Sequence, residues 1–130
     1  MKKVIISNLL ILTIILSLLS CGGWRDNIEL STKSAEFSAN GDSILITTKG
    51  DTWVLIDVIV DGKMYFNFDG IDVHAERYTV KLDYFIFERR ELHAIFIKLD
   101  PNPLNLKRIV KLELQAGDYH DHVTITQNPK

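Results

Sequence analysis

The chain is poor in residues that make covalent or catalytic sites. Its 130 residues include a single cysteine, Cys21, which excludes a disulfide within the chain. It also has no glycine-rich phosphate loop, no nucleophile elbow and no Ser-His-Asp spacing. We therefore expect a protein that is not an enzyme and uses no cofactor. Its stability must come from packing, which a composition of 46% hydrophobic residues can supply.

A basic surface is also missing from the composition. The chain has 17 acidic and 15 basic residues, and two of the basic ones, Lys2 and Lys3, lie in an amino-terminal segment that we expect to be removed. A nucleic-acid-binding protein needs a basic face that neutralises phosphates. The charge balance therefore argues against nucleic acid as a partner.

The amino terminus contains the one long run without charge. Met1-Lys2-Lys3 is followed by a mostly apolar stretch from Val4 to Ser20 and then by Cys21-Gly22, an order that is typical of a secretory signal peptide. The alternative is a retained transmembrane helix. A span needs about 20 apolar residues, however, and this stretch is shorter. We therefore predict a signal peptide that is removed.

Residues 18–21, Leu-Leu-Ser-Cys, resemble the lipobox of bacterial lipoproteins. The resemblance implies that the peptide is removed just before Cys21, after Ser20. It also implies that the thiol and the new amino group of Cys21 carry fatty acyl chains, such as palmitate. Two or more chains anchor a protein stably to a membrane. We expect residues 1–20 to be the signal peptide, residues 21–29 a lipidated tether and residues 30–130 one domain. The expected location is the bacterial envelope, at the periplasmic or surface face of the outer membrane.

Beyond the tether, the sequence alternates strand-like runs with turn signals. No stretch of ten or more residues keeps a helical period with caps, although 87–98 is ambiguous. Strand-like runs occur at 35–38, 43–48, 53–60, 63–68, 78–87, 93–99, 108–114 and 122–127. Asn-Gly and Asp-Gly pairs separate several of them. The pattern predicts an all-β fold, an antiparallel β-sandwich of about seven or eight strands.

The hairpin around Asp61-Gly62 can be read in more detail. A two-residue turn there pairs Val60 with Lys63 and Val58 with Tyr65. Strict alternation then places on one face Trp53, Leu55, Ile59, Met64, Phe66 and Phe68. The other face holds Val54, Ile56, Val58, Val60 and Tyr65. Because both faces are apolar, either segment 70–79 covers the second face or that face is a contact surface.

Two stretches resemble the BACON domain, a Bacteroidetes-associated, carbohydrate-binding domain that is often N-terminal. Residues 29–48, followed by Trp53, match its opening: a strand with Phe, a turn with Gly, and a β-branched strand leading into a Trp. The matching marks near the carboxyl terminus are Asn102, Arg108, Gly117 and Gln127. Segment 61–92 departs from the family pattern, because it is longer, more aromatic and more charged.

The resemblance implies an immunoglobulin-like sandwich that binds carbohydrate or mucin, although such modules also serve as spacers. Sugars stack their C–H faces on aromatic rings and offer hydroxyls to polar side chains. We therefore predict a glycan site made of Tyr65, Asn67, Asp69 and Tyr78. The alternative is that these rings belong to the core, as we expect for Trp53. The alternative function is an accessory subunit that docks on another envelope protein through an apolar sheet face.

A weaker candidate is a metal site near the carboxyl terminus. Asp118, His120 and His122 alternate, so a strand would place all three on one face, and zinc accepts these ligand types. The alternative is a solvated turn between the last two strands. We favour the turn and predict no bound metal.

Overall fold

The computed structural model describes residues 25–130, so the predicted signal peptide and Cys21 lie outside the described residues. Within that range the chain forms nine strands and no α-helix, and none of it is a helix that could cross a membrane. The strands are β1 (Ser34–Phe37), β2 (Asp42–Thr47), β3 (Val54–Val60), β4 (Lys63–Tyr65), β5 (Tyr78–Leu82), β6 (Phe85–Glu91), β7 (Ala94–Leu99), β8 (Arg108–Ala116) and β9 (Tyr119–Gln127).

The strands form two sheets that pack face to face. One has the order β1-β9-β8-β3-β4 and the other β2-β7-β6-β5. Every pair is antiparallel except β1 and β9, which are parallel. The triplets β3-β8-β9 and β2-β7-β6 follow the C-F-G and B-E-D order of the immunoglobulin fold. The predicted immunoglobulin-like antiparallel sandwich is therefore confirmed.

The strand count is nine rather than seven or eight because the run 78–87 is two strands. β5 and β6 are joined at Asp83 and Tyr84, and Asp83 has a left-handed φ of 45°. The ambiguous segment 87–98 forms strands β6 and β7, not a helix. Alternation near the carboxyl terminus is as predicted, because Val123 and Ile125 are buried and the threonines between and after them face outward.

The β3–β4 hairpin has the predicted register, with Val58 opposite Tyr65 and Val60 opposite Lys63. Asp61 and Gly62 have φ values of 48° and 85°, as a type I′ turn requires. The predicted division into two faces is wrong, however. A bulge at Ile56 lies between Leu55, which pairs with Leu114, and Asp57, which pairs with Glu113.

The bulge reverses the side on which the later residues of β3 lie, because it adds one residue to the alternation. Leu55, Val58 and Val60 all enter the core, while Ile59 and Met64 face outward. β4 also ends at Tyr65 instead of continuing to Phe68. Phe66 therefore leaves the sheet at the start of a long loop.

Trp53, just before β3, is fully buried between the sheets, as predicted. Its indole Nε1 donates to Thr48 Oγ1 at 3.0 Å and to the Leu92 carbonyl at 3.1 Å. Ile28, within the predicted tether, is also fully buried, and its carbonyl accepts bonds from the amides of Lys49 and Gly50. The packed part of the chain therefore starts before residue 30.

Candidate ligand-binding site

The four predicted glycan-binding residues do not meet in one place. Tyr65, at the end of β4, donates its hydroxyl to Asp83 Oδ2 at 3.3 Å, and Lys63 Nζ lies 4.8 Å from its ring centre. Asp83 follows the last residue of β5. Tyr78 is the first residue of that strand. The two tyrosines are therefore at opposite ends of β5.

Tyr78 is a packing residue. Its ring centre lies 5.8 Å from that of Phe87, and its buried hydroxyl, which faces the backbone of Leu55, completes no hydrogen bond within residues 25–130. Burial raises the pKa of this hydroxyl to about 12. Because the hydroxyl does not reach the surface, Tyr78 presents no polar group to a ligand.

Asn67 and Asp69 do share a hollow, which we call the loop groove. It lies between the loop after β4 and the first residues of β3, and its volume is about 740 Å³. Its lining residues are Val54, Leu55, Ile56, Phe66, Asn67, Phe68, Asp69, Gly70, Ile71, Val73, His74 and Gln115. The structure thus brings two of the four predicted residues together and adds new neighbours.

The loop that forms this groove is braced by its own hydrogen bonds. The amide of Ile71 donates to the Phe68 carbonyl at 3.0 Å, and the amide of His74 donates to Asp72 Oδ1 at 2.9 Å. Phe68 and Ile71 also pack against the hydrophobic core. The loop therefore has a defined conformation before any ligand arrives, which lowers the entropy lost on binding.

Arg89 fastens the far end of the loop to the sandwich. Only 3% of this residue is exposed, and its guanidinium carbon lies 4.0 Å from the Trp53 ring centre. Its two terminal nitrogens donate to the carbonyls of Asp51 at 2.8 Å and Ala75 at 3.4 Å. Burial lowers the pKa of Arg89, yet an arginine remains charged. A buried cation stacked on an aromatic ring thus holds two loops.

The chemistry of the loop groove combines one open ring with several polar groups. The side chain of Phe66 is 62% exposed, and Asn67, Asp69, His74 and Gln115 supply amide, carboxylate and imidazole groups. An exposed ring beside such groups can stack on one face of a sugar while its hydroxyls are hydrogen-bonded. Sequence reasoning placed Phe66 in the sheet. The sequence pattern that could have indicated this site is an aromatic residue, Phe66, directly before the loop sequence Asn-x-Asp-Gly.

A second hollow, which we call the leucine groove, lies where β8 begins. Its volume is about 530 Å³, and it is lined by Ile59, Asp61, Gly62, Leu104, Leu106, Lys107, Arg108, Ile109 and Lys111. Leu104, Leu106 and Ile109 are 51%, 70% and 47% exposed. Sequence reasoning placed residues 100–107 between two strand-like runs and assigned them no binding site. The sequence pattern that could have indicated this groove is the pair Leu104 and Leu106 in a loop that contains two prolines.

Asn102 holds the loop of the leucine groove in place. It is almost fully buried. Its Nδ2 donates to the carbonyls of Leu106 at 2.7 Å and Asn128 at 3.1 Å, and its Oδ1 accepts from the amide of Leu104 at 3.1 Å. The backbone that carries the exposed leucines is therefore fixed by a buried amide.

A second arginine stack supports the same groove. The guanidinium carbon of Arg108 lies 3.6 Å from the Tyr84 ring centre, and Nη1 donates to the Pro101 carbonyl at 3.2 Å. The Tyr84 hydroxyl donates to Asp61 Oδ2, while Asp61 Oδ1 accepts from the Ile109 amide at 2.8 Å. Burial and the bond to the Asp61 carboxylate raise the pKa of Tyr84 well above its ordinary value. Tyr84 therefore remains a hydrogen-bond donor.

The three residues of the metal candidate are divided between a turn and a strand. Asp118 lies in the turn before β9, and His120 and His122 are in β9. His120 Nδ1 lies 2.6 Å from Glu113 Oε1. Across residues 25–130, no three His, Cys, Asp or Glu side chains are grouped closely enough to hold a metal ion.

Comparison with known proteins supports the fold. No family model and no curated protein matches the chain. The chain is similar to the NMR structure of a protein from Bacteroides thetaiotaomicron, with a TM-score of 0.68 and 16% identity over 85% of this chain and 94% of that one. A chaperone–tip adhesion subunit complex from Csu pili of Acinetobacter baumannii also matches, with a TM-score of 0.39 and 11% identity over 79% of this chain and 57% of that one. At such identity, the first likeness concerns the fold alone.

Proposed function

We propose that this protein is a lipid-anchored envelope protein whose sandwich domain binds glycan or mucin-type carbohydrate without chemical conversion. The observation that carries the proposal is the loop groove, where the exposed ring of Phe66 stands beside Asn67 and Asp69. The proposal keeps these two predicted polar residues. Phe66 replaces the predicted Tyr65 and Tyr78 as the stacking ring.

Three features support this function. The groove has both an open aromatic face and hydrogen-bonding groups, which a sugar ring requires together. Its loop is braced in advance by Asp72 and by Arg89, so little conformational entropy is lost on binding. The resemblance of residues 29–48 and 108–127 to a carbohydrate-binding family points to the same ligand class.

The binding proposal is tested on a broad glycan array with the full-length protein in phosphatidylcholine nanodiscs. Phe66→Ala removes the stacking ring, and we expect it to weaken binding by about tenfold or more, since stacking of this kind contributes on the order of 1.4 kcal/mol. Leu106→Ala is the matched control, because it removes an exposed apolar side chain from the other groove. A blank array, or equal loss in both variants, contradicts the proposal.

The lipid anchor is tested separately by metabolic labelling with palmitate followed by mass spectrometry of the amino terminus. We expect the mature chain to begin at Cys21 and to carry acyl chains. Cys21→Ser should abolish the label. An intact Met1 or an unmodified Cys21 in the exported protein would contradict the anchor and leave the glycan proposal standing.

A second candidate function is docking on another envelope protein. It is favoured by apolar side chains exposed on or beside the outer face of the five-stranded sheet, namely Met64, Leu104, Leu106 and Ile109. If docking is the function, a single protein should co-purify with the native chain after cross-linking. The double variant Leu106→Ser/Ile109→Ser should lose that protein, whereas Phe66→Ala should retain it.

A further inference from the structure

We propose that the leucine groove binds an extended segment of another protein in which apolar side chains alternate with acidic ones. This inference rests on the docking function described above and names the chemistry of its partner. The groove offers an apolar floor made by Ile59 and Ile109 and an apolar wall made by Leu104 and Leu106. Side chains of an extended segment alternate in direction, so one set can enter the groove while the other meets its rim.

The wall of the groove is rigid, which makes it suited to binding. Asn102 fixes the backbone on both sides of Leu104 and Leu106 through three hydrogen bonds. The amide of Lys130 also donates to the Leu104 carbonyl at 3.0 Å. Buried hydrogen bonds therefore fix the backbone of the two exposed leucines. A partner that covers them causes little loss of conformational entropy in the loop.

The charge of the groove points to an acidic partner. Lys107 and Lys111 line it and are exposed, and neither forms an ion pair within residues 25–130. Asp61, its one acidic lining residue, accepts bonds from Tyr84 and Ile109. The groove thus presents two lysines without a salt bridge, of which Lys111 also attracts the Asp57 carboxylate, on a protein whose net charge is −2. Carboxylates on a partner complement that charge.

Two other occupants fit these observations less well. A second copy on the same face would bring Lys107 and Lys111 of both chains together, and like charges oppose that arrangement. A membrane surface would have to reach the groove from the anchored end. Asp26 lies close to Tyr119, whereas the groove is beside Gln127, the partner of Arg108. These ends of β9 are about 26 Å apart.

The predicted tether is too short to span that distance. From Cys21 to Asp26 an extended chain covers at most about 18 Å. The groove therefore lies at the end of the sandwich remote from the anchor, where another protein reaches it more readily than the bilayer does.

The experiment uses the full-length protein in phosphatidylcholine nanodiscs and two fluorescent twelve-residue peptides, one alternating Leu with Asp and one alternating Leu with Lys. Fluorescence anisotropy should show that the Leu-Asp peptide binds at least about tenfold more tightly, because two opposite charges replace two like ones. The variant Lys107→Glu/Lys111→Glu should reverse this preference. Leu106→Ser/Ile109→Ser should lose both peptides.

Each other outcome overturns a defined part of the inference. Equal binding of the two peptides overturns the acidic chemistry while docking on apolar segments stands. If neither peptide binds, the groove is not a docking site for extended segments, and glycan binding at Phe66 is unaffected. Tighter association with phosphatidylglycerol discs that depends on Lys107 and Lys111 assigns the groove to lipid. A doubling of mass that Leu106→Ser abolishes assigns it to a second copy.

Discussion

Each end of the sandwich has a groove, and each groove is supported by an arginine stacked on an aromatic ring. The two stacks differ in how deeply they are buried. At the loop groove, Arg89 stacks on Trp53 and binds loop carbonyls, and both side chains are buried. At the leucine groove, Arg108 stacks on Tyr84 and binds the Pro101 carbonyl, but Tyr84 is only partly buried. In both cases the planar guanidinium stacks on an aromatic ring and donates hydrogen bonds to a backbone carbonyl.

The difference lies in what each stack supports. The Trp53 stack is part of the core, so the loop groove depends on the integrity of the whole sandwich. The Tyr84 stack stands at the rim, and the leucine groove depends more on one buried amide, Asn102. Substitutions should therefore affect the two ends unequally, in ways that can be measured.

The largest expected effect is that of Trp53→Ala. Removing a fully buried indole should lower the free energy of unfolding by about 3–5 kcal/mol, and Arg89 would lose its stacking partner as well. Urea denaturation of Tyr84→Ala provides the comparison, with an expected loss of about 1–2 kcal/mol because that ring is partly exposed. Equal losses at Trp53 and Tyr84 would contradict the difference in depth between the two stacks.

The next effect concerns the leucine groove alone. Asn102→Ala should cost about 2–4 kcal/mol, since three hydrogen bonds are lost and buried backbone groups remain unpaired. Asn105→Ala, an exposed site in the same loop, should stay within about 0.5 kcal/mol of the native protein. Hydrogen exchange of the Leu104 amide, which donates to Asn102 Oδ1, should increase in the first variant only. Unchanged exchange there would mean that Asn102 does not hold the groove.

A smaller effect on the free energy of unfolding is expected at Asp57, which lies directly opposite Glu113 between the two grooves. Burial, and then the neighbouring Glu113 carboxylate, raise the pKa of Asp57 above 3.8. A raised carboxyl pKa means that the folded protein binds the proton more tightly. Stability is therefore lost as pH rises from 3.8 through the folded pKa. His122 and Lys111 oppose this shift in part.

Asp57→Asn should accordingly stabilise the protein at pH 7 by about 0.2–1 kcal/mol. At pH 3, where the native carboxyl is protonated in both states, the gain should disappear. Thermal unfolding at the two pH values measures the difference, and Asp69→Asn at an exposed position is the control. A gain that is equal at both pH values would rule out the carboxylate pair as its source.

The smallest expected difference in stability is that between removing the hydroxyl of Tyr78 and removing that of Tyr84. Tyr78→Phe should change the free energy of unfolding by less than about 0.5 kcal/mol, because the buried hydroxyl has no partner to lose. Tyr84→Phe should be the more harmful change, costing about 1 kcal/mol, because it breaks the bond to Asp61. If Tyr78→Phe were the more damaging of the two, the packing role assigned to Tyr78 would be wrong.

Local sequence signals predicted the parts of the fold that depend on neighbouring residues. The turn at Asp61-Gly62 set the register of β3 and β4, because left-handed φ values are available to such a pair. The core position of Trp53 was predicted because sandwich folds often keep a tryptophan at this point. The bulge at Ile56 could not be predicted, since it depends on how Leu114 and Glu113 in a distant strand pair with β3.

The candidate sites also depend on contacts between residues that are far apart in the sequence. Tyr65 and Tyr78 were grouped because aromatic rings beside Asp and Asn suit a sugar, but burial of the Tyr78 hydroxyl follows from packing against β3. The backbone of Leu106 is fixed by Asn102, which also binds the carbonyl of Asn128, 26 positions away along the chain. Asn67 and Asp69 share a groove because they lie only two positions apart in the loop after β4.

The amino-terminal segment is joined to both layers of the sandwich. Leu30 bridges Thr48 beside the second sheet, and β1 then runs parallel to β9 in the first. A pull applied at residue 25 is directed along β1, so the four paired positions of that strand carry the load together in shear instead of opening one by one. Mechanical tension on the amino-terminal segment would thus be borne in shear along the edge of the five-stranded sheet, where β1 pairs with β9.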